Sequence, residues 1–474
     1  MTWIPINRDA GIPLFRQIYT EFRNQILKGK LQIGEQLPST RDLAASLQVS
    51  RTVIVEAYEQ LLAEGYIEGR HGSGTFVAEG TLMNINKGKH VPQFTPSAAS
   101  TASREEAVQA THDLIDFRHG IPALDHFPRK QWSELSKRAC MEAPNEAFGY
   151  GKPEGRLELR TIIAQYLHRT RGVICDPDQL LITTGATQAL SLIAKLLLSE
   201  ISDVILEDPI TMEIHNIFSL PDTTIHPVPV DRHGLLTELM PENIKPKFIY
   251  VTPSHQFPLG GVLPIQRRVQ LIQYAAAHGS YIVEDDYDSE FRYEGPPVSS
   301  LQGLNPDRVI YIGTFSKILS PALRMGYIIL PRAHIEAARS LKWLTDLHTP
   351  ALEQLTLARF MEEGYLDRHI KQMRKLYRKR RDFLMHALSQ SFGEQVTIIG
   401  DSTGLHLVAE FAGITFTPDL LHQLELSGVK VHPVDIHALH KDKHRQQIIL
   451  GFGNLTENRI SEGIRRIFNT LSQI

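Results

Sequence analysis

The sequence predicts an α/β protein in two unlike parts: a small N-terminal winged helix-turn-helix, and a large domain built on a mostly parallel sheet. Three observations carry that expectation. Apolar residues recur at helical spacing through the first sixty or so positions and then give way to a turn-rich hairpin. Periodicity fades between residues 79 and 111, where Ser, Thr, Ala, Pro and Lys dominate. Beyond that stretch, short apolar runs alternate with helical patterns, the signature of βαβ units and a parallel sheet.

In the head, Leu14, Ile18, Phe22 and Ile26 stand four apart and predict an amphipathic helix over 14–27. Pro38-Ser39 opens a second helix, with Ser39 as N-cap and Leu43, Ala44 and Leu47 as its apolar face. A third helix begins at Ser50, buries Val53, Ala57, Tyr58, Leu61 and Leu62, and ends at Gly65. Tyr66–Glu68 and Thr75–Val77 then alternate as two strands around Gly69-Arg70-His71-Gly72-Ser73-Gly74. The expected division is therefore a DNA-binding head over 1–78, a linker over 79–111 and an effector domain over 112–474. As flexible coil, a linker of that length spans on the order of 30 Å.

In the large domain, buried strands are expected at Leu180–Thr183, Val204–Leu206, Phe248–Thr252, Tyr281–Glu284, Val309–Ile312 and Tyr327–Leu330. Several end in polar residues: Gly185-Ala186-Thr187, Asp208-Pro209, Pro253-Ser254-His255, Asp285 and Lys317. Ligands of open parallel sheets gather outside the carboxyl ends of the strands, so this clustering predicts a site. From about residue 350 a long basic helix and a smaller α+β unit follow, ending near Phe468.

Composition excludes several classes. With 474 residues the chain exceeds one compact core, and 42% apolar with 22% charged residues is ordinary for a globular protein. Two cysteines, Cys140 and Cys175, leave no disulfide framework and no multi-cysteine zinc site. No opening run resembles a signal peptide, and the best apolar segment, 189–198, is too short to cross a bilayer. A cytoplasmic protein without membrane contact is expected. Residues 1–80 hold eight Lys/Arg against nine Asp/Glu, so DNA contact depends on where the charges sit.

The strand Val309–Ile312 leads into Gly313-Thr314-Phe315-Ser316-Lys317, with Arg324 seven residues on. A lysine held there suits a Schiff base to a phosphate-bearing aldehyde, since a desolvated amine is nucleophilic. Asp285 can keep a pyridine nitrogen protonated, and Tyr287 can hydrogen-bond a phenolate oxygen on the same ring. Gly185, Ala186 and Thr187 open a helix whose free amides suit a phosphate, with Thr314, Ser316 and Arg324 completing the cup.

These motifs, with Thr183-Thr184-Gly185, Glu207-Asp208-Pro209, Thr252-Pro253-Ser254-His255-Gln256-Phe257-Pro258 and Glu284-Asp285-Asp286-Tyr287 in one order, resemble those of MocR-type regulators. Such proteins join a GntR-like winged helix to a fold-type I, aminotransferase-like domain that binds pyridoxal 5'-phosphate (PLP). The resemblance implies that Lys317 carries PLP, that Asp285 rather than Asp286 meets the pyridine nitrogen, and that Tyr287 and Arg324 hold O3' and phosphate. It also adds His255 to the cofactor residues, and Tyr150 as a tyrosine reaching a neighbouring subunit's phosphate. Two departures stand out. Thr211 occupies the place of an aromatic that stacks on the cofactor ring, and Ile449 that of an arginine that grips a substrate carboxylate.

In a helix-turn-helix the recognition helix presents its N-terminal residues to base edges. Arg51 can meet guanine O6 and N7 bidentately, while the Ser50 and Thr52 hydroxyls bond phosphate or base. By resemblance to the GntR pattern, Arg41 contacts phosphate or base, and His71 and Gly72, with Arg70 beside them, enter the minor groove. A basic run from Arg368 to Arg381 reads first as the solvated face of an amphipathic helix and second as further phosphate-contacting surface. His406, His432, His437 and His440 show no metal-ligand spacing, and no metal is expected.

The expected function is a PLP-dependent transcriptional regulator that binds double-stranded DNA with repeated half-sites as a homodimer, domain-swapped through the linker. The effector is PLP itself or an amino compound. Thr211 and Ile449 tilt the balance to PLP, as in regulators of vitamin B6 synthesis, and to a Schiff base that regulates without turnover. The alternative is an active aminotransferase with a regulatory DNA-binding head.

Overall fold

The computed structural model describes residues 5–8, 11–70, 73–80, 114–198 and 201–473. Its contacts divide the chain into two units, Met1–Ala99 and Ser100–Ile474.

In the first unit, helices Leu14–Leu27, Thr40–Leu47 and Arg51–Ala63 precede an antiparallel hairpin of Ile67–Arg70 and Gly74–Val77. Ser39 caps the second helix, its hydroxyl accepting from the Asp42 amide at 3.2 Å. Ile18, Phe22, Ile26, Leu43, Ile54, Tyr58 and Leu61 meet in one core, with Phe22 and Tyr58 edge to face at 5.7 Å. The third helix sits a fraction of a turn away from its expected facing. Ile54 is buried, Val53 only partly so, and Leu62 is exposed, because packing on the first helix selects the Ile54, Ala57, Tyr58, Leu61 stripe. The Tyr58 hydroxyl donates to the Pro38 carbonyl at 2.9 Å and ties the third helix to the start of the second.

The second unit is built on an eight-stranded sheet. Its order is Leu180–Thr183, Gly326–Ile329, Val309–Thr314, Tyr281–Asp286, Phe248–Val251, Ser202–Asp208, Thr223–Asp231 and Gly234–Leu235. The five strands from Val309–Thr314 through Thr223–Asp231 pair in parallel, and Gly326–Ile329 runs against both of its neighbours. Strands covered on both faces need continuous apolar runs. Phe248–Val251 and Val309–Thr314 are buried at every position. Because the parallel strands share one direction, the ends carrying Asp208, Thr252, Asp285 and Lys317 lie along one edge.

A smaller sheet orders Val396–Ile399, His406–Phe411, Gln447–Gly451 and His432–Pro433. It packs with the helices Tyr365–Phe392 and Glu457–Leu471 around Tyr377, Leu384, Leu407, Phe411, Ile448 and Ile464. The basic run lies on the long helix, which is amphipathic as expected: Arg368, Lys371, Lys375, Arg378 and Lys379 are exposed and Ile370, Met373, Tyr377 and Leu384 are buried, but Arg380 and Arg381 are buried as well. Arg374 donates to the Glu290 carbonyl, Arg378 to that of Tyr293, Arg380 to that of Gly453 and Arg381 to that of Asp401. Four guanidiniums thus satisfy backbone carbonyls of neighbouring loops, leaving Lys371, Lys375 and Lys379 exposed. No helix among the described residues is long and apolar enough to cross a membrane.

Candidate functional site: a cavity at the strand ends and an exposed recognition helix

Along Tyr281–Asp286 successive side chains face opposite sides of the sheet, and that alternation separates two adjacent carboxylates. Asp285 turns to a cavity of about 290 Å³ that Tyr287 and Lys317 also line. Asp286 turns away, its Oδ2 accepting from Arg171 Nε at 2.8 Å and from the Tyr311 hydroxyl at 2.6 Å. Asp285 Oδ2 accepts from the Tyr250 hydroxyl at 2.7 Å, whereas its Oδ1 is buried without a partner. Burial pushes the Asp285 carboxyl up to about 6, against the Tyr250 hydrogen bond and the Lys317 charge. A cationic ring N–H would satisfy the spare oxygen and restore the carboxylate.

Lys317 follows the strand Val309–Thr314 in a turn. Burial draws its ammonium pKa down, and the charges of Asp288 and Asp285 resist that. Gly120 lies over the amine: a Cβ there would fall 2.5 Å from Nζ, and its φ of +70° favours glycine. Ala186 and Thr187, the first residues of the helix Ala186–Leu197, line the cavity with Thr314, Ser316 and Arg324. The Arg324 guanidinium is steadied by a 2.6 Å bond to the Thr184 carbonyl, and the Thr314 and Ser316 hydroxyls stand 3.1 Å apart. Helix amides, two hydroxyls and one arginine form a cradle suited to a phosphate. The donors, the spare Asp285 oxygen and the amine together fit a phosphate-bearing pyridine aldehyde.

One residue expected at the cofactor stands elsewhere, and Tyr150, expected at a neighbouring subunit's phosphate, stands at the surface. His255 does not line the cavity; it lies behind Tyr287, whose hydroxyl is 2.9 Å from the His255 carbonyl. Tyr150 is 81% exposed and lines a separate cleft of about 580 Å³ beside His348, so within one chain it does not reach Lys317. Thr211 lines the cavity next to an apolar wall of Leu190, Ile210, Ile214 and Ile217. Ile449 is buried in the small sheet against Phe257, Val408 and Val434 and is not part of the lining. Arg324 is the one arginine in that lining among the described residues.

Sequence reasoning passed over the histidines, which the fold gathers. His119 and His406 line the cavity, and the rings of His119, His406 and His437 surround Phe257 at 4.7, 5.4 and 5.2 Å. Burial drives His119 down to about 3 and His437 to about 4, so both are neutral imidazoles near pH 7. His432 is held instead by Asp116 at 2.8 Å. These residues come from both ends of the large domain, and no local spacing announces them.

On the head, Arg41, Ser50, Arg51 and Thr52 are all exposed, grouped where the second and third helices begin. Arg51 Nε reaches the Thr40 hydroxyl at 3.4 Å, and neither Arg41 nor Arg51 has an ion pair among the described residues. Arg70 is paired with Glu68 at 2.8 Å and lies over the Phe76 ring at 4.7 Å, so the wing itself holds it. His71 and Gly72 lie outside the described residues.

Comparison with known proteins matches residues 112–434 to aminotransferase class I and II and residues 14–77 to bacterial regulatory proteins of the gntR family. The chain is 35% identical to the probable rhizopine catabolism regulatory protein MocR of Rhizobium meliloti, covering 98% of this chain and 94% of that one. It is 32% identical to the pyridoxine biosynthesis transcriptional regulator PdxR of Corynebacterium glutamicum, over 85% of each chain. Among solved structures it resembles Pyrococcus horikoshii kynurenine aminotransferase, with a TM-score of 0.71 and 29% identity over 79% of this chain and 95% of that one.

Proposed function

The chain belongs to the aminotransferase class I and II family and to the MocR-type regulators, and from that premise we propose that PLP in the Lys317 cavity controls how its GntR-type head binds promoter DNA. PLP is the cofactor that family membership gives it. When bound, PLP supplies an aldehyde that condenses with an amine and a ring that draws electrons. The rest falls to the chain's own residues. Asp285 offers a buried acceptor to the ring nitrogen, Lys317 a desolvated amine, and Tyr287 a hydroxyl to the ring oxygen. Ala186, Thr187, Thr314, Ser316 and Arg324 bind the phosphate. The carrying observation is the partnerless Asp285 Oδ1 in the cavity that Lys317 lines.

PLP itself is the signal in this reading, which places the protein in vitamin B6 control. Arg324, already needed for phosphate, is the one arginine of the lining among the described residues, and Ile449 is core, which favours PLP over an amino acid gripped by its carboxylate. The likeness to a pyridoxine-biosynthesis regulator supports this. Arg41, Ser50, Arg51 and Thr52 read the DNA, with Arg70, His71 and Gly72 at the wing. The protein acts in the cytoplasm as a domain-swapped homodimer on repeated half-sites, Tyr150 reaching the second copy's phosphate. Titrating promoter DNA with cofactor-free and PLP-loaded protein, no amino acid present, tests this; equal affinities would remove PLP as the signal.

The completeness of the Lys317, Asp285 and Tyr287 set favours a second reading, an aminotransferase with a regulatory head. Multiple turnovers with an amino acid and a keto acid would establish it, and a single stoichiometric conversion would not.

A further inference from the structure

Behind Tyr287 lies a buried hydrogen-bonded pair that the cofactor reading does not use. Asp288 and His255 are each 2% exposed, with His255 Nδ1 2.9 and 3.1 Å from the two carboxylate oxygens. The same nitrogen is 3.0 Å from the Tyr287 hydroxyl, which also stands 2.9 Å from the His255 carbonyl. An ionised carboxylate only accepts, so the proton sits on Nδ1, and the tyrosine hydroxyl donates to the carbonyl. Nε2 is buried without a partner, which leaves Nδ1 as the only working nitrogen of that ring.

The surrounding backbone is shaped to this pair. Gly404 has φ +81°, and a Cβ there would overlap both the His255 ring and the Asp288 carboxylate. Phe291 clamps the two segments, its amide donating to the Asp288 carbonyl at 3.1 Å and its carbonyl accepting from the Gly404 amide at 2.9 Å. The His406 ring lies tilted at 36° to that of His255, centroids 4.9 Å apart, with Nε2 3.0 Å from the Pro258 carbonyl. His255, Asp288 and His406 are also the one group among the described residues with three mutually close metal-binding atoms. Asp288 and Tyr287 engage Nδ1 of His255, the Pro258 carbonyl engages Nε2 of His406, and Gly404 packs against the His255 and Asp288 side chains.

We propose that Asp288 and His255 are a positioning pair for Tyr287, holding its hydroxyl at the cavity wall and letting it pass its hydrogen bond from the His255 carbonyl to the phenolic oxygen of bound PLP. With Nδ1–H supporting its oxygen, Tyr287 keeps a partner in either orientation. The inference rests on the reading that PLP occupies the Lys317 cavity. It assigns His255 a role one step behind the cofactor, and it gives Asp288 a role. The charges of Asp288, Asp285, Glu207 and, from the other side of the strand, Asp286 bear on Tyr287, and Asp288, Asp285, Arg118, His119 and His406 bear on Lys317.

The test is a pH titration of the bound chromophore in the full PLP-loaded chain. Losing the Tyr287 donation lets the ring oxygen hold the neighbouring proton more tightly. His255→Gln therefore raises the midpoint by about one pH unit. Tyr287→Phe does the same, and His255→Gln adds nothing further in the Tyr287→Phe background. An unmoved midpoint, or shifts that add, overturns the proposal. Asp288→Asn, nearly isosteric, repeats the test if the glutamine variant fails to fold. In cofactor-free protein, imidazole ¹⁵N shifts report the tautomer: the proton on Nδ1 of His255 supports the pair, and a bare Nδ1 in wild type refutes it. If wild type takes up no chromophore, the PLP reading fails, and the tautomer measurement still decides the pair.

Discussion

Arg41 and Arg51 stand exposed on the head, held by little beyond their own helices, whereas Asp285, Tyr287 and Lys317 line a cavity to which segments from His119 to His406 contribute. Each arginine needs only a helix of the right start and facing, so its neighbours can change at little cost. Each cavity residue needs others: Asp285 needs Tyr250, Tyr287 needs His255, and Lys317 needs Gly120 to leave it room. The exposed residues should therefore act additively, whereas the buried set is interlocked.

That contrast is tested hardest at Lys317. Lys317→Ala removes the amine and is expected to abolish the protein-bound chromophore while the fold persists, as an absorbance spectrum and a melting curve will show. Full retention of a covalently attached cofactor would place the reactive amine elsewhere. Asp285→Asn comes next: it removes the charge from the ring-nitrogen partner, worth about 1.5–3 kcal/mol, or roughly ten- to a hundredfold in PLP affinity. Its sign reverses in the cofactor-free protein. An acid raised to about 6 by burial is protonated in the fold below that value, and its ionisation costs stability as pH rises through it. Stability is lost as pH rises from the free value of 3.8 to about 6, so melting curves should show Asp285→Asn gaining on wild type across that window and keeping the gain above it.

On the exposed side, Arg51→Ala should cost about 1–3 kcal/mol of operator affinity while leaving stability within about 0.5 kcal/mol. A drop in melting temperature as large as that of a core variant would erase the distinction between the two sites. The smallest effect belongs to the long basic helix. Lys375→Ala should leave the salt dependence of DNA binding unchanged, and Arg378→Met should lower stability, because its guanidinium serves the Tyr293 carbonyl. A shallower salt slope in the lysine variant would return that helix to the DNA surface.

Much of this was legible where the physics is local. Continuous apolar runs marked the central strands, and Ser39 marked a helix start. Period-two alternation explains why Asp285 and Asp286, neighbours in sequence, face a cavity and a buried arginine respectively. What escaped depends on distant partners. The strand Thr223–Asp231 carries Pro227 and Pro229, which withhold amide donors and disguise it. Arg380 and Arg381 of the long helix read as surface because nothing local shows that loop carbonyls await them. The histidine group escaped because its members are brought together only by the two sheets.

The most direct measurement is the affinity of full-length protein for its promoter fragment with and without PLP, run in parallel on wild type and Lys317→Ala. PLP is expected to change the affinity of wild type, with no amino acid added, and to leave that of Lys317→Ala unchanged. An identical response in both proteins, or none in wild type, would contradict the account of Lys317 as the residue that reports the cofactor to DNA.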